Sequence, residues 1–192
     1  PENLNRQEKF AEKMHVPRRV ETSGFRSGER ALIEIATFYQ EQSEDPYVLA
    51  EAITHLADWY LIFDQTRDAL KRYKIAWDIL QDLENSEELT ERLFGDVVPV
   101  PLFTSSIELP DAFYRNGDGS GPLEFDYADL IFDVTSKGEV RNVEIVSEET
   151  EDNRQRLSKL RRVALSSRFR PRIVDGVPQS SSGHHFRYRY WY

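Results

Sequence analysis

The chain has 192 residues, 39% of them hydrophobic, which is enough for one large domain or two small ones with ordinary cores. It contains no cysteine, so disulfides and thiolate metal sites are excluded. The net charge of −9 is uneven, because residues 153–192 carry ten of the 25 basic and one of the 34 acidic residues, giving +9 there and −18 elsewhere. The acidic remainder can supply counter-charge within the molecule, so we predict no nucleic-acid partner.

The first 94 residues are predicted to form a short, weakly ordered segment followed by helices. Residues 1–26 show no sustained apolar period, and we expect them to be flexible or weakly ordered. Ser27 can cap a helix from Gly28 to about Gln42, and Asp45-Pro46 restarts the chain. Apolar spacing then predicts helices over 47–63, 66–83 and 87–94. Their short connections predict antiparallel neighbours, and hence a helical domain over 27–94.

The two central helices carry bulky and small apolar residues at regular spacing, and small side chains let two helices approach closely. The residues predicted to pack in this way are Ile53, Leu56, Ala57, Tyr60, Ala69, Tyr73 and Ala76. The pattern resembles one tetratricopeptide repeat, with half repeats before and after it. Because about three repeats are normally needed for a free-standing solenoid, we expect these helices to lean on the C-terminal part of the chain.

A linker over 95–122, rich in Pro and Gly, leads to a segment with a different period. Strict alternation predicts a strand over 127–134, Lys137-Gly138 a turn, and β-branched residues a second strand over 140–146. Apolar residues at helical spacing predict a helix from Asn153 to Phe169, which Pro171 would stop. A turn at Asp175-Gly176 and a final aromatic strand over 184–192 complete the segment.

These elements predict an α+β protein with antiparallel helices first and a ββαβ domain over 123–192. The helix should return the third strand beside the first, giving a three-stranded antiparallel sheet in the order second, first, third. Arg187 and Arg189 should then share the outer face of the sheet with Asp129 and Asp133, where oppositely charged side chains pair across strands.

The order of motifs in this domain is more specific than any one of them. The hairpin carries Gly138-x-Val140-x-Asn142-Val143, the helix leads into Arg168-Phe169-Arg170-Pro171, and Gly176-x-Pro178 precedes the last strand. This succession resembles the C-terminal domain of TonB-type energy transducers. The resemblance implies a periplasmic protein-interaction domain whose last strand accepts an extended segment of a transporter by strand addition. It maps the partner-binding edge to Phe186, Arg187, Tyr188, Arg189, Tyr190 and Trp191.

Three features of such transducers are absent from this sequence. No Tyr-Pro pair precedes the first strand, and neither a long Pro-rich spacer nor an apolar run of about 20 residues is present. The sequence therefore favours a periplasmic adaptor that presents repeat helices and a sheet edge to an envelope protein or peptide. A homodimer remains an open alternative for the same edge.

Two other function classes stay open. One is an energy transducer or a relative, trimmed of a membrane anchor that would be its contact with the membrane, since the chain begins at Pro1 rather than Met. The other, less favoured, is a polyanion-binding protein, because the last 40 residues combine basic and aromatic side chains.

Residues suited to catalysis or metal binding are few and badly placed. Asp129 and Asp133 are better explained by surface ion pairing than by acid–base work. His184 and His185 project to opposite faces of a strand and cannot chelate one ion together. We therefore predict no catalytic residues, no metal site and no cofactor, and a protein that is not an enzyme.

Overall fold

A computed structural model of the chain describes residues 18–42, 45–100, 125–146 and 154–191. Its described elements are, in chain order, α1 (Arg18–Gln42), α2 (Pro46–Ile62), α3 (Thr66–Gln81), α4 (Ser86–Phe94), β1 (Val98–Val100), β2 (Phe125–Val134), β3 (Val140–Ile145), α5 (Arg154–Ser166), β4 (Arg168–Arg170), β5 (Arg172–Val174), β6 (Val177–Gln179) and β7 (Ser181–Trp191). Helices come first and antiparallel strands follow, so the fold is of the predicted α+β class.

The chain divides into two compact units. The first consists of Pro1–Val98 together with Arg172–Gln179, and the second of Pro99–Pro171 together with Ser180–Tyr192. The short segment 172–179 is therefore part of the helical unit although its neighbours in sequence are not. Most of the predicted linker, residues 101–122, lies outside the described residues.

Helix α1 begins upstream of its predicted start. Ser27 lies inside the helix rather than at its N-cap, and the part of segment 1–26 that the structure describes, from Arg18 onward, is helical. Phe25 shows why the helix continues through Ser27-Gly28: its ring is buried, with centroids 5.7 Å from Tyr60 and 4.9 Å from Phe63. Packing against the next helix thus outweighs the weak helix propensity of Ser and Gly.

Helix α2 starts at the predicted signal. The N–H of Tyr47 donates a hydrogen bond to Oδ1 of Asp45 at 2.9 Å, and Pro46 stands in the first turn, where its missing N–H costs nothing. The connection to α3 is only three residues long, and it includes Asp64 at a φ of 60°.

Two hydrogen-bonded pairs give the direction of α3 relative to α2. Arg72 Nη2 donates to the hydroxyl of Tyr60 at 3.0 Å, and the hydroxyl of Tyr73 donates to Oδ1 of Asp58 at 2.6 Å. The earlier residue of α3, Arg72, thus bonds to the later residue of α2, Tyr60, and the later residue of α3, Tyr73, bonds to the earlier residue of α2, Asp58. The two helices are antiparallel, as the short connection predicts.

The hairpin formed by β5 and β6 belongs to the same unit as these helices. The predicted turn at Asp175-Gly176 joins the two strands, with φ values of +51° and +71° that are typical of a type I′ turn. A Cβ atom on Gly176 would lie 3.1 Å from Cδ1 of Trp77, so the turn packs directly on the indole of α3.

The second unit is built on a three-stranded sheet in the order β3-β2-β7, with β2 antiparallel to both neighbours. This is the predicted order, in which the second and last strands flank the first. The period-two pattern of β2 puts one face into the core, and α5 packs on β3. The buried residues contributed by β2 and α5 are Ala128, Leu130, Phe132, Val134, Leu157, Leu160 and Ala164.

The helix predicted over 153–169 is wrong at its C-terminal end. Helix α5 stops at Ser166, and Phe169 lies in β4, which forms a two-stranded sheet with β1. The N–H of Phe169 donates to the carbonyl of Gly138 at 3.0 Å, and this commits the backbone to strand geometry. Between the helix and the last strand the chain therefore forms three short strands, β4, β5 and β6, which the simple ββαβ succession did not include.

Candidate functional site

Strand β7 is the outer strand of the three-stranded sheet and contains all six residues of the predicted partner-binding edge. It has 11 residues, and at about 3.4 Å per residue an extended strand of that length spans roughly 37 Å. Among the described residues, no strand pairs with β7 on the side away from β2. An outer strand of this kind presents a row of main-chain donors and acceptors that another chain can use.

The register fixes which of these main-chain groups point outward. The N–H of Val146 donates to the carbonyl of Asp129 at 2.8 Å, so the main-chain groups of Asp129 face β3 rather than β7. Main-chain directions alternate along a strand, and Asp129 stands opposite Arg187. The N–H and C=O of Arg187 therefore point away from β2.

The same alternation extends along the rest of β7. His185, Arg187, Arg189 and Trp191 direct their main-chain groups to the open edge, whereas Phe186, Tyr188 and Tyr190 pair inward with β2. Four of the seven residues from His185 to Trp191 thus offer main-chain hydrogen-bonding groups at the edge. The position, rather than the aromatic character, decides which residues do so.

The inner face of β7 holds the strand on the core through aromatic contacts. The ring of Phe186 lies 6.4 Å from Phe132, 6.2 Å from Phe169 and 5.7 Å from Tyr188, measured between centroids. Offset and edge-to-face arrangements at such distances are favourable. Phe186 is therefore an anchor of the strand, in agreement with the aromatic inner face that the sequence predicts.

The outer face carries the predicted cross-strand ion pair. Arg187 Nε and Nη2 donate to the two carboxylate oxygens of Asp129 at 2.7 and 2.9 Å, a bidentate arrangement. These hydrogen bonds lower the pKa of Asp129 below its ordinary 3.8. The second predicted acid, Asp133, is held differently: Nδ2 of Asn142 donates at 2.7 Å and the N–H of Gly183 at 3.1 Å, and these bonds lower its pKa.

No family of proteins, no characterised protein and no solved structure matches the chain.

The predicted repeat-packing residues come together at the contacts between α2 and its neighbours. Six of the seven are buried, and Ile53 is half-buried. The three alanines, Ala57, Ala69 and Ala76, are fully buried, which is the placement expected of small side chains between close helices.

A polar cluster that the sequence did not reveal joins three helices. Glu29 of α1 accepts a hydrogen bond from the hydroxyl of Tyr60 of α2, which in turn accepts one from Arg72 of α3 at 3.0 Å. The guanidinium of Arg72 also lies 3.8 Å from the centroid of the Tyr60 ring. Burial and the bond to Glu29 raise the pKa of Tyr60 to about 12. No sequence signal marks this cluster, because its members are 12 or more residues apart.

Other kinds of site find no support in the part of the chain that the structure describes. His184 bonds through Nε2 to Oγ of Ser181 at 2.7 Å, while the neighbouring His185 is exposed. Nowhere in the described ranges do three or more His, Asp or Glu side chains gather as a metal site requires. None of the described helices has the length and apolar character needed to cross a membrane.

Proposed function

We propose that the protein is a non-catalytic interaction adaptor of the periplasm, and that the outer edge of β7 takes up an extended segment of an envelope protein. The observation that carries the proposal is the open main-chain edge of β7, where His185, Arg187 and Arg189 turn their N–H and C=O groups outward. A partner that adds a strand gains one hydrogen bond for each of these groups it meets. The periplasmic setting rests on the resemblance to TonB-type domains.

The helical unit is proposed to be the second interaction module. Its antiparallel helices and buried alanines agree with tetratricopeptide-like packing, and the hairpin at 172–179 packs against α3. The hairpin offers a reason why the helical unit is stable with fewer helices than a free-standing solenoid needs. It covers apolar surface that a further repeat would cover in a longer solenoid.

Energy transduction by an anchored relative is the alternative proposal. The strand order β3-β2-β7 with a long closing strand supports it, because this is the arrangement that the TonB-like reading of the sequence predicts. A natural precursor that keeps a membrane anchor and a long spacer would favour this alternative, and a cleaved signal peptide would favour the adaptor.

Polyanion binding is the least supported of the three. The guanidinium of Arg187 is already bound by both oxygens of Asp129, which neutralises part of the basic outer face. Affinity for heparin that falls steeply with added salt would revive this proposal.

The test of the adaptor is a proline that blocks only the outer edge. Proline has no N–H, and it is tolerated in a strand where that N–H faces solvent. Arg189→Pro removes an outward donor, and Arg189→Ala is the matched control that removes the same side chain and keeps the donor. Tyr188→Pro would be less informative, since the N–H of Tyr188 faces β2.

The three proteins are compared by capture from envelope extracts, with the captured segment located by crosslinking to β7. We expect capture by the wild type and Arg189→Ala and its loss in Arg189→Pro, with circular dichroism showing that all three are folded. Equal capture by the folded proline variant would refute strand addition at this edge.

A further inference from the structure

The other outer strand of the sheet, β3, differs from β7 in that its edge is occupied. The N–H of Val146 faces β2, and the alternation of main-chain directions turns the carbonyl of Val143 away from the sheet. Nη2 of Arg161, on α5, donates to that carbonyl at 2.9 Å. A side chain from the packing helix thus takes the acceptor that an added strand would need.

A bulge interrupts the same edge one residue earlier. The pairing of β2 with β3 shifts between Ile131 and Asp133, so that Asn142 and Val143 together stand opposite Phe132. Asn142 has a φ of +51°, and its Nδ2 donates to Asp133 at 2.7 Å, which holds the bulge in place. Bulges break the regular ladder of an edge and bend it away from a neighbouring strand.

The two edges of the sheet are therefore unequal. A sheet that is open at both edges can pair head to tail with further copies and grow into a chain, because such contacts do not close. Strand β3 has six residues, a bulge and a capped carbonyl. Strand β7 has 11 residues, of which the eight from His184 to Trp191 pair with β2 in one register, and its own register shift, between Phe132 and Val134 of β2, is confined to its first three residues.

We propose that Arg161 completes the closure of the β3 edge, whose start is already paired with the β4 segment through the bridge between Glu139 and Arg168, and so limits the sheet to one added strand, at β7. The occupant of β7 is the extended partner segment of the proposed function, on which this inference rests. With β3 closed, a complex ends after one partner segment, and copies of the chain cannot polymerise through their sheets. Arg161 is a positioning residue in this scheme, since it acts on the edge and does not touch the partner.

Substitution of Arg161 tests the proposal without an identified partner. Arg161→Ala removes the donor, and Arg162→Ala is the matched control, since Arg162 is the neighbouring exposed arginine of the same helix. The size of each protein is followed by light scattering over a range of concentrations. We expect Arg161→Ala to associate at concentrations at least tenfold lower than the wild type and Arg162→Ala.

A double variant identifies the edges that meet. If β3 of one copy pairs with β7 of the next, Arg161→Ala/Arg189→Pro forms at most a dimer through two β3 edges, and longer assemblies disappear. Arg161→Gln, which retains good helix-forming character but is too short to reach the carbonyl, replaces the alanine variant if that variant does not fold.

Three results would overturn the inference. They are a folded Arg161→Ala of wild-type size, the same association in Arg162→Ala, and long assemblies that persist in the double variant. The proposed function is judged separately, by partner capture with Arg189→Pro alone. If the association experiments refute the role of Arg161, strand addition at β7 is therefore still tested by partner capture, and the reverse also holds.

Discussion

Gly28 allows α1 and α2 to approach closely, and a single methyl group tests that contact. A Cβ atom at this position would lie 2.6 and 2.7 Å from Cε2 and Cη2 of Trp59, and closer still to Cζ2. Carbon atoms in contact prefer about 3.5 to 4.0 Å, so Gly28→Ala forces a displacement on the order of 1 Å. The indole cannot easily yield, because its Nε1 donates to the carbonyl of Phe25 at 3.1 Å and its ring centroid lies 5.0 Å from that of Phe63.

The magnitude follows from a comparison with Gly24, one turn earlier in the same helix. A Cβ atom on Gly24 would meet no atom within 4 Å. Both glycine-to-alanine changes gain about 1 kcal/mol of helix propensity, but Gly28→Ala alone also incurs overpacking of about 1 to 3 kcal/mol. The difference in the free energy of unfolding between the two variants should therefore be about 1 to 3 kcal/mol, with Gly24→Ala the more stable.

Urea unfolding followed by the fluorescence of Trp59 and Trp77 measures this difference. Circular dichroism of each variant shows whether the helices are retained, and similar dependence on urea shows that the same surface unfolds. Gly28→Ala with a stability equal to that of Gly24→Ala would mean that the two helices are not in contact at this position, and the helical unit would have to be packed differently.

Three further predictions concern other contacts. Tyr60→Phe should lower the free energy of unfolding by about 1 to 2 kcal/mol. Because the pKa of Tyr60 is raised to about 12 in the folded state, the stability of the wild type should also fall as pH rises from 10 towards 12, by on the order of 2 kcal/mol more than that of the variant. Identical dependence of stability on alkaline pH in the two proteins would contradict this. Arg187→Gln should return the pKa of Asp129 towards 3.8 in an NMR titration, and an unchanged carboxyl pKa would show that Arg187 does not hold it. Gly176→Ala and Gly183→Ala both place alanine at positive φ, but a methyl only at Gly176 would meet Trp77, so Gly176→Ala should be the less stable in thermal unfolding and should alone change tryptophan fluorescence.

Local patterns predicted the sheet well because its decisive information is local. Alternation in β2 places every second side chain on one face, and Ala128, Leu130, Phe132 and Val134 are indeed all buried. The inner-face contacts of Phe186 follow from the same rule applied to the last strand.

The errors arose where a distant contact decides the local structure. Ser27 and Gly28 look like the start of a helix, yet the glycine lies inside α1 because the indole of Trp59, 31 residues later in the sequence, takes the space of a side chain. Phe169 continues the apolar period of α5, yet its N–H bonds to Gly138, and the chain becomes a strand. The contact between Arg161 and the edge of β3 could not be predicted from the sequence either, because nothing in the sequence of a basic helix indicates which arginine contacts a strand edge.

The ion pair between Asp129 and Arg187 depends on the register of β2 and β7, because only this register places the two residues opposite each other. A slip of one residue between β2 and β7 would turn Phe186 out of the core and reverse the direction of every main-chain group on β7. The bidentate bond on the outer face and the aromatic contacts on the inner face both require the observed register, so the two faces act together against such a slip. A pair that contributes little as a surface salt bridge can therefore still help decide which main-chain groups β7 offers to a partner.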